Sequence, residues 1–306
     1  MRRAAFTLLE LIFVIVIMGF LANYGVELLS KAYKSFIFTK INNSLQANSA
    51  MAVETIAARL QYRIKDSVIA RQTDGNFQAL AGNTDLTAPI LQWVGYDIDA
   101  LRGDSAAAPI LPLWSGIIDM DLSNTNTLVS PSTNTAELQT LISALSNAGS
   151  GIDNAALYFI GSDSDIQTGY GWNGAAVATQ NEAMHPIRRS VVAGEENRFI
   201  PINGATGVDN NFNGADIYEY YQLAWTAYAV GIRDYNATTN TGTLMLYYNY
   251  QPWRGETYLA NGTAVKLMDN VSTFRFMAAG SILKIEVCVN SDLMEDYSLC
   301  KEKTVF

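Results

Sequence analysis

Several groups of residues have the types and spacing needed for chemistry. Glu10 is the only charge in an otherwise apolar run from Phe6 to Val26. A carboxylate held in hydrocarbon costs on the order of 3 kcal/mol, so it marks a function and needs a partner. Asp209, Asn211, Asn213 and Gly214 follow the D-x-N-x-N-G spacing that opens a calcium loop, with Asp216 and Glu219 nearby as further oxygen donors. The twelfth position of that loop is Tyr220, where a bidentate glutamate belongs, so the segment reads either as a calcium site or as a polar Asn/Gly turn. Asp163-Ser164-Asp165 is a second oxygen-rich loop or a turn that ends a strand. Cys288 and Cys300, an even pair near the end of an exported chain, read as one disulfide that pins the C-terminal tail onto the exposed face of the last strand.

Other constellations fall short of catalysis. His185 is the single histidine, which excludes a multi-histidine metal centre, and it reads as a surface or hydrogen-bonding residue. No nucleophile elbow, phosphate-binding loop or dinucleotide fingerprint accompanies it, so the expectation is a protein that is not an enzyme and holds no cofactor beyond the calcium named above. Tyr218, Tyr220, Tyr221, Trp225 and Tyr228 are either a glycan or peptide platform or the two faces of a sheet. The formal net charge of −9 divides unevenly: residues 1–65 hold 8 basic and 3 acidic side chains, leaving 12 basic and 26 acidic for 66–306. So acidic a body repels phosphate backbones, and direct nucleic-acid binding is not expected.

These residues need elements to position them. A helix over Phe6–Val26 spans about 30 Å, enough for the core of a bilayer. Such a segment is a secretory signal, an ordinary membrane anchor, or an anchor whose buried Glu10 is paired. Val26, Leu29, Tyr33, Ile37, Ile41 and Leu45, then Val53, Ile56, Leu60 and Ile64, continue in steps of three and four, and the first proline is Pro89. This predicts one helix of about 55–60 residues, or two if it breaks near Asn42-Asn43 or Asn48-Ser49. Residues 123–127 and 130–135 read as exposed loops, and Asn134 with Glu137 as the cap of a short helix carrying Leu138, Leu141, Ile142 and Leu145. Ala155–Ile160 reads as a buried strand. Leu223–Ile232 with Thr243–Tyr250, and Val271–Met277 with Ile282–Val289, read as two hairpins. Leu283, Ile285, Val287 and Val289 alternate with Lys284, Glu286 and Cys288, which turns the cysteine away from the buried face.

The stretch Arg2-Arg3-Ala4-Ala5-Phe6-Thr7-Leu8-Leu9-Glu10-Leu11 closely resembles the cleavage and methylation signature of type IV prepilins and type II secretion pseudopilins. Where that family carries Gly before the cut, this chain has Ala5, the next smallest residue. The resemblance implies that a prepilin peptidase removes residues 1–5 by cutting between Ala5 and Phe6 and methylates Phe6. It implies too that Glu10, the fifth mature residue, neutralises a neighbouring subunit's N-terminal amine. It further implies an α+β, pilin-like fold: residues 6–26 as the membrane or filament-core half of the first helix, 27–65 as its amphipathic half, and 66–306 as a periplasmic head held at the inner membrane. The layout of residues 271–289 is similar to that of J-type pseudopilins and W-type minor pilins. The function implied is that of a subunit which, with other minor and major pilins or pseudopilins, initiates or caps a type IV pilus, a type II secretion pseudopilus or a competence filament for DNA uptake. An anchored binding protein for an exported substrate or surface ligand is the other reading, and an anchored enzyme a third.

Overall fold

The steps of three and four in the first sixty residues predict a continuous helix. The computed structural model, which describes residues 7–81, 87–103, 111–162, 165–291 and 297–306, contains one. Helix α1 runs from Leu8 to Leu60, 53 residues without interruption, about 80 Å long. Both asparagine-containing segments stay helical. At the second, Ser49 is buried and its hydroxyl donates to the Gln46 carbonyl at 3.2 Å, so this polar side chain is satisfied within the helix. The helix stops at Leu60, five residues before the expected boundary. The chain turns there to pair with another segment: Tyr96 N–H donates to the Tyr62 carbonyl at 2.9 Å, and Arg63 bridges Gly95.

The remaining α-helices and strands among the described residues are β1 (Ile69–Arg71), β2 (Phe77–Ala79), β3 (Ile90–Gly95), α2 (Ile98–Arg102), β4 (Asp119–Asn124), β5 (Thr127–Val129), α3 (Thr135–Leu145), β6 (Ala156–Phe159), β7 (Met184–Arg189), β8 (Arg198–Pro201), β9 (Tyr221–Ala224), β10 (Thr226–Asn236), β11 (Thr241–Tyr250), β12 (Thr263–Ala279), β13 (Ile282–Asn290) and β14 (Ser298–Val305). Two antiparallel sheets result. The larger has the order β14-β13-β12-β11-β10-β3-β1-β2. Because side chains alternate along each strand, it presents two apolar faces. One face packs Trp93, Val230, Leu244, Val271 and Ile285 against Val53, Ile56 and Leu60 of α1. The other packs Val94, Ala227, Ala229 and Tyr247 with Tyr158, Trp172 and Trp253.

Strands β3 and β10 are hydrogen-bonded neighbours, with Gly95 opposite Thr226. Residues 96–225 therefore leave the large sheet and return to it at adjacent points. Within this excursion lies the second sheet, β4-β5-β8-β7-β6-β9. Its two ends meet: Ile117 bridges Tyr220, Ile118 N–H donates to the Glu219 carbonyl at 2.8 Å, and Tyr221 N–H donates to the Gly116 carbonyl at 3.0 Å. The sheet thus curls on itself around Trp114, Leu157, Phe159, Ile187, Phe199 and Leu223, which protects edges that would otherwise be free.

Three sequence expectations are corrected. The run Leu223–Ile232 is not one strand, because it divides at Trp225 between β9 of the small sheet and β10 of the large one. Residues 130–135 are not an exposed loop: Ser130, Thr133 and Thr135 are buried. The hydroxyls of Ser130 and Thr133 share a hydrogen bond at 2.7 Å, and Ser130 shares another with Tyr221 at 2.8 Å, so polar composition coexists with burial. The tail does not lie on the face of β13. It pairs edge to edge as β14, with Cys288 directly opposite Cys300 and a disulfide joining them. The capped short helix is as expected, with Asn134 accepting from the amides of Ala136 and Glu137 at 3.2 Å each.

β14 is also fastened to α1. Lys303 pairs with Glu54 at 2.7 Å, Tyr297 donates to Asn42 at 2.7 Å, and Phe38 meets the Tyr297 ring edge-on. The buried guanidinium of Arg63 donates to the carbonyls of Leu60 and Ser281, both at 2.8 Å. Closing the loop between residues 288 and 300 is worth about 3 kcal/mol through the entropy of the unfolded chain. Replacing both cysteines by serine is expected to lower unfolding free energy by about that amount. Denaturant titration of the full chain in detergent, with and without reductant, checks this; an unchanged midpoint would assign the strand's hold to the α1 contacts alone.

Candidate functional site

Among the described residues, the first half of α1 is the stretch that no other element covers. From Leu8 to Phe36 every residue is exposed, Ile37 is half-buried, and Ile41 is the first buried by the head. That free stem is about 44 Å long, longer than the roughly 30 Å hydrocarbon core of a bilayer. It includes a stretch long and apolar enough to cross a membrane. Beyond Val26 its surface becomes mixed, with Lys31 paired to Glu27 at 2.7 Å beside exposed Leu28, Leu29, Tyr33 and Phe36. A helix apolar on all sides requires lipid or other helices around it.

At the tip, Thr7 caps the helix and Glu10 completes a capping box. The Glu10 amide donates to the Thr7 hydroxyl at 3.4 Å, while one Glu10 carboxylate oxygen accepts from the Thr7 amide at 3.2 Å and its hydroxyl at 3.1 Å. The carboxylate is therefore held at the helix N-terminus, where the peptide dipoles favour negative charge. Ala5 and Phe6, the residues flanking the expected cut, lie outside the described residues.

The calcium segment is arranged differently from an ion-binding loop. Both carboxylate oxygens of Asp209 are engaged by Arg188, from Nε at 2.6 Å and Nη2 at 2.7 Å. This pairing holds the Asp209 carboxyl below the usual carboxylate range. The side-chain oxygen of Asn211 accepts from the Asn213 amide at 3.0 Å in a local turn, and Asp216 and Glu219 are exposed. Among the described residues these carboxylates do not gather around one point; the trio that does is Glu286, Cys288 and Cys300, whose sulfurs are joined in the disulfide and offer no thiolate. Asp165 accepts from the Gln167 amide and the Thr168 hydroxyl, as a turn residue does, while Asp163 and Ser164 are outside the described residues.

His185 is not at the surface. It is buried in β7, with the Phe159 ring edge-on at 4.8 Å and the Phe212 ring at 6.1 Å. Desolvation pushes its pKa down to about 4, so it is neutral at physiological pH. The tyrosine cluster divides: Tyr221 and Trp225 are buried core, Tyr228 stacks on Trp93 at 5.4 Å, and Tyr218 and Tyr220 remain exposed. Residues 103–225 carry thirteen acidic side chains, three arginines and no lysine. Two of those arginines are already paired, Arg188 with Asp209 and Arg198 with Glu195.

Sequence reasoning passed over Asp97. It sits where the chain leaves β3 for the inserted sheet, buried, with Oδ1 accepting from the Ala100 amide at 3.0 Å to cap α2. Its Oδ2 has no partner of full hydrogen-bond geometry, although the Trp225 side chain and the Asp99 amide lie close enough to favour the charged form. Desolvation raises its pKa to about 6, partly offset by the Ala100 amide. An aspartate immediately before the short helical run Ile98–Arg102 was the available signal. No family model, curated protein or solved structure matches the chain.

Asp97 and His185 give opposite pH dependences. A carboxyl raised to about 6 contributes stability below its unfolded value of 3.8 and loses it as pH rises through 6. A histidine lowered to about 4 contributes stability above its unfolded value of 6.5 and loses it as pH falls through 4. Across that shared window the two nearly cancel. Asp97→Asn keeps the cap and removes the ionisation, so relative to the parent it is expected to gain about 3 kcal/mol of stability between pH 4 and 7. Urea midpoints across that range check it, and parallel curves would show the carboxyl to be solvated.

Proposed function

We propose that this chain is a minor pilin or pseudopilin, a pilin-like structural subunit that initiates or caps a filament in a type IV pilus, type II secretion or DNA-uptake machine. The observation that carries this reading is the free stem: a helix whose first 29 residues stand clear of its own head and present Glu10 at the tip. In this reading a prepilin peptidase cuts between Ala5 and Phe6 and methylates Phe6. The stem then resides in the inner membrane until neighbouring stems replace the lipid around it, with the head in the periplasm. Carboxylate and ammonium are each costly in an apolar filament core and offset each other when paired, which gives Glu10 a role that its local cap does not fill. The size of the head, residues 66–306, suits a low-copy position near the tip better than dense repetition.

A second reading, an anchored protein that binds an exported substrate or surface ligand, is favoured by the closed small sheet. That sheet is inserted between two neighbouring strands of the larger one, and the larger sheet does not require it for its own pairing.

On the leading reading, N-terminal sequencing or intact mass of membrane-extracted protein shows loss of residues 1–5 and a methylated Phe6. Retention of Met1 in cells with active peptidase would sink the assignment. Glu10→Val leaves membrane insertion intact and abolishes filament initiation or secretion without changing the level of the major subunit. Quantitative mass spectrometry of sheared filaments then places the subunit, since abundance equal to that of the major pilin would exclude a tip role.

A further inference from the structure

We propose that the cavity in front of Arg71 is a binding site for a small monocarboxylate carried on a planar or ring-shaped body. The inference does not depend on how the stem assembles. Arg71 ends β1, and its guanidinium is fixed by three neutral acceptors: Nε donates to Gln92 Oε1 at 3.0 Å, Nη1 to the Gly75 carbonyl at 2.7 Å, and Nη2 to the Trp172 carbonyl at 2.6 Å. The ring of Phe77 lies beneath it at 4.8 Å. None of these partners carries a negative charge, and Arg71 belongs to no ion pair among the described residues. Partly buried charges are ordinarily compensated, and this one is held in place by contacts that leave it uncompensated.

A cavity of about 330 Å³ opens at this group, lined by Trp172, Tyr250 and Tyr258 among others. Its size is at the lower end for a ligand pocket, room for one ring and its substituents. Five parts of the chain line it: the β1–β2 hairpin, Gln92 of β3, the 171–174 loop of the inserted segment, Tyr250 at the end of β11, and residues 256–259 after it. Gly171, at φ +81°, makes the wall possible, because a side chain there would collide with the Pro252 carbonyl. The guanidinium has five N–H groups, and three bonds leave two for a ligand. Nη1 and Nη2 each keep one N–H, donors from which a carboxylate accepts, while the aromatic walls match a flat apolar body. Glu256 lines the cavity too, with Oε2 accepting from the Gln251 amide at 2.8 Å. That carboxylate repels any anion in the cavity, a dianion about twice as strongly as a monoanion, and so weighs against phosphate esters more than against a carboxylate.

The test uses the full chain in detergent, with benzoate, glucuronate and the neutral isostere benzamide, read by tryptophan fluorescence and saturation-transfer NMR. Benzoate or glucuronate is expected to bind saturably, about tenfold or more tighter than benzamide. Which acid binds better identifies an aromatic or a sugar body. Arg71→Gln should remove that charge preference. Because Arg71 also bonds three carbonyls, Tyr258→Ala provides an independent variant on a half-buried wall, expected to weaken the acid without disturbing the guanidinium. Equal binding of benzoate and benzamide, binding unaffected by Tyr258→Ala, or no binding of either acid would overturn the assignment.

Discussion

The seam between the upper half of α1 and the large sheet is the contact on which the rest of the molecule depends. Ala52, Val53, Ile56, Ala57 and Leu60 are buried there against strands drawn from both ends of the chain, β3 at about residue 90 and β12 to β14 beyond residue 263. Each large apolar side chain fully buried in such a seam contributes about 1.5–3 kcal/mol. No local stretch of head sequence could supply that alone. The helix thus has two regimes: residues whose apolar surface is satisfied by the head, and residues whose apolar surface the head never reaches.

The other features follow from that seam. Because α1 crosses the edge of the sheet, the last strand can be clamped from two sides, by the Cys288–Cys300 disulfide to β13 and by Lys303 and Tyr297 to the helix. Because the helix ends at Leu60, Arg63 is free to turn inward and bond the Ser281 carbonyl in the β12–β13 turn. The inserted segment is held differently. It starts and finishes at neighbouring strands, so its small sheet hangs from the β3–β10 pair, and its loop at 171–174 reaches back to meet Arg71 on the hairpin beyond β3.

What was legible in the sequence was what depends on near neighbours. The apolar spacing of α1, the Asn134 cap and the alternation of β13 are each readable within a dozen residues, and each is present. Glu10 stood out as a charge in an apolar run; that Thr7 and Glu10 also form a T-x-x-E capping box was equally visible and was not read. Features that depend on distant partners were not legible. Trp225 divides two strands because residues 96–225 close on themselves, and no feature at residue 225 announces it. Ser130 and Thr133 are polar by type and buried by circumstance, since Tyr221 supplies the partner from ninety residues away. Ser298–Val305 carries Lys301, Glu302 and Lys303, and so hides an edge strand behind charges that edge strands commonly use. Asp209 looked like a ligand until Arg188, twenty-one residues upstream, proved to occupy it. Arg71 carries no local signal at all, because its site is made by segments far apart in the chain.

The two roles open to Glu10 differ in energy, and the difference bears on why the stem would require company. In the isolated chain the carboxylate is satisfied by Thr7, a capping interaction worth about 0.5–2 kcal/mol. Neutral donors do not cancel its charge, and a carboxylate within hydrocarbon costs about 3 kcal/mol at the helix centre. At a tip close to the interface water reduces that cost, so a single stem can rest in a bilayer with its cap intact. On the proposed reading assembly changes the surroundings: the tip leaves the interface for the interior of a filament, water is excluded, and the cap no longer suffices. The side chains from Leu8 to Val26 carry no cation, so on the proposed reading the partner is a Phe6 amine, the neighbouring chain's in an assembled filament. Apolar surface alone would let stems associate in any register, whereas one charge that must meet one amine fixes the register. On the proposed reading, a free apolar stem and a single carboxylate at its tip therefore make a coherent pair: the first lets stems pack together, and the second decides their alignment.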